Sequence, residues 1–131
     1  RAVRALIHRH RLKVNMPIEL RFVAPDSALL SPAHGRESCA LAVHAYRGMA
    51  WQPYFRSVER LMWERDGRPH WGKLHFQTFQ TLRQRYPGWD RFQAARARLD
   101  PEGRFRNAYT DRVLGLPDLG AVAADLSAAG A

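Results

Sequence analysis

Apolar and polar positions follow two different periods in the first half of the chain, and each period predicts one kind of element. The spacing of apolar residues predicts a helix over residues 2–13. Strict alternation predicts strands over residues 18–23 and 39–46, and the first strand directs Glu19 and Arg21 to the same face. The second strand has small and apolar residues on both faces, which is typical of a strand inside a sheet.

A helical period dominates the second half of the chain. Helices are predicted over residues 53–65, 78–85 and 88–99, with Pro and Gly residues near their ends. The helix over residues 53–65 directs Glu59 to solvent, whereas the helix over residues 88–99 directs Leu99 to the core.

The predicted fold class is α+β. Residues 74–76 are expected to be extended, and residues 105–109 irregular or extended. Two clear strands remain, and two strands alone make a poor sheet. We therefore expect a fragment of a larger domain, in which helices cover an antiparallel sheet that missing N-terminal residues complete. Residues 1–115 form the domain part, and residues 116–131 form an Ala- and Gly-rich tail.

Composition is that of an ordinary globular domain. The 131 residues are 46% hydrophobic and 25% charged, and no apolar run approaches the ~20 residues that cross a bilayer. No signal peptide is visible. The single Cys39 excludes an internal disulfide, and its thiol would be inert in an apolar strand. A cytoplasmic location, with or without attachment to a membrane surface, is expected.

The net charge of +9 invites a nucleic-acid-binding interpretation. Lys13 and Lys73 are the only lysines, so nineteen of the 21 basic residues are arginines, and these are dispersed along the chain. A small basic nucleic-acid-binding module would need a contiguous basic face, so we do not expect a nucleic-acid partner. A non-catalytic fragment that serves assembly is a third alternative.

Two short segments contain the side chains best suited to bind or activate a ligand. Glu19 and Arg21 lie two residues apart on one strand face, so they can hold each other ionised and present a guanidinium to a ligand. Residues 68–73 place a cation, an imidazole and an indole on one turn, where Lys73 could stabilise a developing anion. From spacing alone, a solvated ion pair and a solvated lysine are the favoured interpretations.

The six histidines do not predict a metal site. His8 and His10 point to different sides of a helix, and neither His70 nor His75 has a Cys or carboxylate partner at a recognised ligand spacing. His44 lies within the second predicted strand, where packing in the core and lining of a pocket both agree with its position. No bound metal is expected.

Four sequence blocks carry a family resemblance. Residues 67–73, 85–92 and 98–109, together with the Glu-x-Arg strand at residues 17–23, resemble the C-terminal end of the sugar-lactone oxidoreductases. That family includes D-arabinono-1,4-lactone oxidase, L-gulono-1,4-lactone oxidase and the alditol oxidases, which are flavoenzymes of the vanillyl-alcohol-oxidase type. The resemblance extends over about residues 1–115.

The resemblance implies a fold, a cofactor and a reaction. The chain would be the last part of a cap domain that covers an FAD, which an N-terminal domain of the same protein binds, in some members covalently. A sugar lactone or polyol would be oxidised by hydride transfer from a carbinol carbon to the flavin. Carried over by motif, the catalytic residues would be Glu19, Arg21 and Lys73, the substrate-binding residues His44 and His70, and the cofactor-binding residues Lys73 and Asn107.

Overall fold

A computed structural model describes residues 1–116 of the chain, and its architecture confirms the α+β class. The elements in chain order are α1 (Ala2–Arg9), β1 (Glu19–Val23), β2 (Ser38–Ala42), α2 (Gln52–Trp63), α3 (Phe79–Leu82), α4 (Trp89–Leu99) and α5 (Ala108–Leu114). They form two compact units. The first contains Arg1–Asp26 and Gly35–Phe76, and the second contains Ser27–His34 and the described residues from Gln77 onward.

The sheet of the first unit is an antiparallel pair of strands. In its register Glu19 lies opposite Ala42, and Arg21 lies opposite Ala40. Because side chains alternate across a strand, the two charged residues share a face with two small ones. Phe22 projects from the opposite face and is 89% exposed, so much of that apolar face is uncovered within the first unit.

The second strand differs from the prediction in two ways. It ends at Ala42, and a turn follows at residues 46–49, in which the Met49 N–H donates to the Tyr46 carbonyl at 3.2 Å. Among residues 1–116 it has a neighbour on one side only, so it is not an interior strand there, and Cys39 is exposed. The small residues of β2 lie across from the long charged side chains of β1, which accounts for the pattern that suggested an interior strand.

Helices α1 and α2 enclose the core of the first unit. Val3, Tyr54 and Val58 are its buried residues, with partly buried apolar side chains around them. Full burial of one such apolar side chain contributes about 1.5–3 kcal/mol. The first helix is shorter than predicted, because it ends at Arg9 and Arg11 adopts a left-handed conformation with φ 49°.

The ends of α2 agree with the sequence pattern. Pro53 occupies the first turn, where its missing N–H has no intrahelical partner to lose. The chain leaves the helix through Asp66, at φ 58°, and Gly67, whose N–H donates to the Met62 carbonyl at 2.8 Å. A Cβ at Gly67 would lie 2.7 Å from that carbonyl oxygen, so the position requires glycine.

The second unit is helical, and side-chain bonds to backbone carbonyls join its segments. Its buried hydrophobic residues are Ala33, Leu82, Tyr86, Trp89, Ala97 and Val113. Arg96 on α4 donates to the Gly115 carbonyl at 2.9 Å, and Arg112 on α5 donates to the Gln77 carbonyl at 2.6 Å. Both bonds lie near the C-terminal end of α5.

Helix α5 was not predicted from the sequence. Its seven residues are too few for a clear apolar period, and the signal that was available is the capping pair Asn107 and Thr110. The prediction that Leu99 faces the core is wrong, since this residue is 76% exposed at the end of α4. The helix predicted over residues 78–85 is reduced to α3. The predicted tail lies outside the described residues apart from Leu116.

The hydroxyl of Tyr54 provides a test of the first core. It is buried, and among residues 1–116 it has no hydrogen-bond partner. A buried hydroxyl without a partner costs about 1–3 kcal/mol, so Tyr54→Phe should leave the free energy of unfolding unchanged or raise it. A thermal or denaturant unfolding measurement that shows a clear loss would contradict this and would reveal a partner beyond the described residues.

The same variant should change the response to alkaline pH. Burial raises the pKa of Tyr54 above its ordinary value of 10.0, so folding favours the neutral phenol. That contribution is complete below pH 10 and is lost as the pH rises through the folded-state pKa. Tyr54→Phe should therefore lose less stability than the parent protein between neutral and strongly alkaline pH.

Candidate functional site

Glu19 and Arg21 form an ion pair on the open face of β1. Arg21 Nη2 donates to Glu19 Oε2 at 2.7 Å, and the side chains are 75% and 46% exposed for the arginine and the glutamate. Such exposure makes the pair a minor contributor to stability. It also leaves most guanidinium N–H groups available to a ligand, because the bond to Glu19 uses only part of the donor set.

His44 lies beside the same carboxylate. Its Nε2 is 3.8 Å from Glu19 Oε1, which is longer than a hydrogen bond but close enough for an ion pair if the imidazole is protonated. Within the described residues this nitrogen is buried and has no hydrogen-bond partner. The pairing of the strands thus brings three of the six predicted site residues together, and the small residues Ala40 and Ala42 lie opposite Arg21 and Glu19.

Within the predicted turn segment at residues 68–73, residues 70–73 form a hydrogen-bonded turn, called the lysine turn below. The Lys73 N–H donates to the His70 carbonyl at 3.1 Å, and the Gly72 N–H donates to Nδ1 of the His70 ring at 3.0 Å. Because Nδ1 accepts a hydrogen bond, the ring proton of the neutral imidazole must lie on Nε2. Lys73 and His70 are both exposed.

Two residues that contact Phe76, just after the lysine turn, were not predicted from the sequence to have this role. Glu59 was expected to face solvent, but it is half-buried, and its Oε1 accepts a hydrogen bond from the Phe76 N–H at 2.8 Å. The Phe76 ring lies under the Arg56 guanidinium, whose central carbon is 3.8 Å from the ring centroid. The available signal was the spacing of three between Arg56 and Glu59, which puts both on one side of α2.

Asn107 has a local structural role in the second unit. Its side-chain oxygen accepts a hydrogen bond from the Thr110 N–H at 3.0 Å, and Thr110 Oγ1 accepts from the Asn107 N–H at 2.8 Å. This reciprocal arrangement is a capping box at the start of α5.

Residues 1–116 contain no group of three or more His, Cys, Asp or Glu side chains close enough to hold a metal ion. No helix in that range is long and apolar enough to cross a membrane.

Comparison with known sequences places these residues in a wider context. Residues 1–113 match the family described as D-arabinono-1,4-lactone oxidase. The chain is 57% identical over 110 residues to an L-gulono-1,4-lactone dehydrogenase of Mycobacterium tuberculosis, a match that includes 84% of this chain and 26% of that protein.

Two other relatives have different names. An L-gulonolactone oxidase of Bos taurus is 38% identical over 112 residues, which include 79% of this chain and 24% of that protein. An alditol oxidase of a Streptomyces species is 40% identical over 92 residues, which include 70% of this chain and 22% of that protein. The chain therefore spans about a quarter of the length of the curated relatives that it matches.

Substitution of Asn107 tests its capping role at the start of α5. Asn107→Ala removes the acceptor for the Thr110 N–H and should lower the free energy of unfolding by about 1 kcal/mol. Asn107→Asp keeps an oxygen at that position and should change stability little. Denaturant unfolding of both variants checks the cap, and an equal loss in the two would contradict it.

Proposed function

This chain belongs to the D-arabinono-1,4-lactone oxidase family, and on that premise we propose that it is the C-terminal part of the cap domain of an FAD-dependent oxidoreductase. The enzyme oxidises a CH–OH group of a sugar-derived substrate, either an aldono-1,4-lactone or an open-chain alditol. The FAD is held mainly by an N-terminal domain outside these residues. Two of the relatives have names of lactone enzymes and a third that of an alditol oxidase, which supports this range of substrates.

The observation that carries the proposal is the Glu19–Arg21 pair on an open strand face. A polyhydroxylated substrate needs donors and acceptors side by side, and the pair supplies a guanidinium and a carboxylate joined at 2.7 Å. Ala40 and Ala42, opposite the pair, carry only methyl side chains.

The described residues fit the substrate-facing side of a flavin site. Lys73 is exposed, and the Arg21 side chain is 75% exposed, so two cations are accessible to negative charge on a ligand or ring. The sequence lacks a Gly-x-Gly-x-x-Gly or phosphate-binding loop, which supports placing the nucleotide-binding part elsewhere. When bound, FAD supplies the acceptor for the hydride that leaves the carbinol carbon.

The charged residues orient the hydroxyl that is oxidised. Arg21 and Lys73 donate hydrogen bonds to this hydroxyl, and their charges stabilise the negative charge that develops on its oxygen as its proton passes to solvent water. Glu19 fixes the guanidinium through Oε2, while Oε1 accepts a hydrogen bond from a neighbouring substrate hydroxyl. With FAD bound, the positive charge of Lys73 would also favour a negatively charged cofactor.

The remaining predicted residues have supporting roles in this proposal. His44 contacts the substrate side of Glu19, in agreement with the 3.8 Å separation of its Nε2 from Glu19 Oε1. His70 presents Nε2–H to a substrate hydroxyl, since its Nδ1 is occupied by the Gly72 N–H. Asn107 contributes to the flavin side of the domain in addition to capping α5.

Lys73→Ala in the full-length enzyme tests the proposed function directly. Loss of one fixed donor to a developing anion lowers kcat by about 100- to 1000-fold. Because the lysine is exposed, its removal should shift the thermal midpoint very little. Steady-state kinetics with aldonolactones and alditols, using dioxygen and an artificial acceptor in parallel, will check the result and define the substrate class.

Lys13 offers a matched control, as the other lysine of the chain and likewise an exposed residue. Lys13→Ala should leave kcat unchanged within error. If Lys73→Ala has the same unchanged turnover as Lys13→Ala, the role assigned to Lys73 is incorrect.

The isolated 131-residue chain should be colourless and inactive. The proposal assigns the nucleotide-binding groups to a separate domain, so the fragment alone lacks most of the contacts that FAD needs. Purified fragment mixed with FAD should show no binding by fluorescence quenching and no oxidation of an aldonolactone. A yellow fragment with lactone oxidase activity would refute the assignment of FAD binding to a separate domain.

A further inference from the structure

We propose that Glu59 is a positioning residue for Lys73, an inference that rests on the proposed function of that lysine. Glu59 lies on α2, and its Oε1 accepts a hydrogen bond from the Phe76 N–H at 2.8 Å across seventeen positions of sequence. A carboxylate that accepts from a backbone N–H forms a charge-assisted bond, which is stronger than a neutral one. The bond therefore fixes the main chain directly after the loop that contains Lys73.

Two further side chains contact the ring of Phe76. The Arg56 guanidinium lies over the Phe76 ring at 3.8 Å from its centroid. Trp51 stacks on Phe76 with the ring centroids 6.0 Å apart and the ring planes inclined by 17°. Three residues of the α2 region thus contact Phe76, two through its ring and one through its backbone, so Phe76 has little freedom to move.

Two hydrogen bonds within the lysine turn fix its conformation. The Lys73 N–H donates to the His70 carbonyl, and the Gly72 N–H donates to the His70 ring. His75, one residue before Phe76, is only 8% exposed. Three residues of chain span at most about 10–11 Å, so the anchor at Phe76 limits how far Lys73 can move. Its amino group is exposed, but the backbone that presents it is anchored to a helix.

The sequence context explains why this role escapes pattern analysis. An outward-facing glutamate on an amphipathic helix is normally a solvated residue. Glu59 instead faces a segment that has no regular secondary structure and therefore needs a side-chain acceptor for its backbone N–H.

A double-mutant cycle in the full-length enzyme distinguishes positioning from general stabilisation. Glu59→Ala should lower kcat by about 10- to 100-fold, because a small misplacement of a reacting group has effects of that order. Glu59→Gln keeps an oxygen acceptor and should retain most of the turnover. In the Lys73→Ala background, Glu59→Ala should cause no further loss of kcat, since its effect passes through the lysine.

Two variants on the same helix complete the design. Glu64→Ala removes an exposed carboxylate near the end of α2, whose contact is Arg65 at 3.7 Å, and should not change kcat. If Glu59→Ala does not fold, the exposed Arg56→Ala weakens the same anchor and should lower kcat about two- to fivefold, again only when Lys73 is present.

The outcomes separate this inference from the proposed function. A loss from Glu59→Ala that is equal with and without Lys73, or the absence of any loss, overturns the positioning role while Lys73→Ala remains damaging. An unchanged kcat in Lys73→Ala overturns both. A loss that is rescued by glutamine and that disappears in the Lys73→Ala background supports the positioning role.

Discussion

The antiparallel pairing of β1 with β2 is the constraint on which the candidate site depends. Its register places Glu19 opposite Ala42 and brings His44, two residues further on, next to the Glu19 carboxylate. A shift of one residue would move every side chain of one strand to the opposite face. The ion pair would then project from the apolar face and would no longer lie beside Ala40 and Ala42. Strand register therefore determines whether these residues can act together.

Helix α2 contacts both the core of the first unit and the segment that follows the lysine turn. One side of the helix buries Tyr54 and Val58 against α1, so its position is set by hydrophobic packing. Another side carries Arg56 and Glu59, which contact the ring and the backbone of Phe76. The hydrophobic packing that positions α2 in the core therefore also positions the two side chains that contact Phe76.

How much the sequence predicts depends on the range of the interactions involved. The strong apolar period of α2 and the terminating Gly67 are local signals, and both were identified. The partnership of Glu19 with Arg21 is also local, since the two are separated by one residue on a strand. By contrast, the bond of Glu59 to Phe76 joins residues seventeen positions apart, and no local rule reports it.

The uncovered face of β1 has a consequence for handling the chain. Leu20 and Phe22 are 60% and 89% exposed, and within residues 1–116 each strand of the sheet has one unpaired edge. An unpaired edge beside an apolar surface is a template for adding further strands, whether from the same protein or from another copy. Expressed by itself, the chain would therefore be prone to aggregation, and solubility would improve with whatever segment occupies this edge.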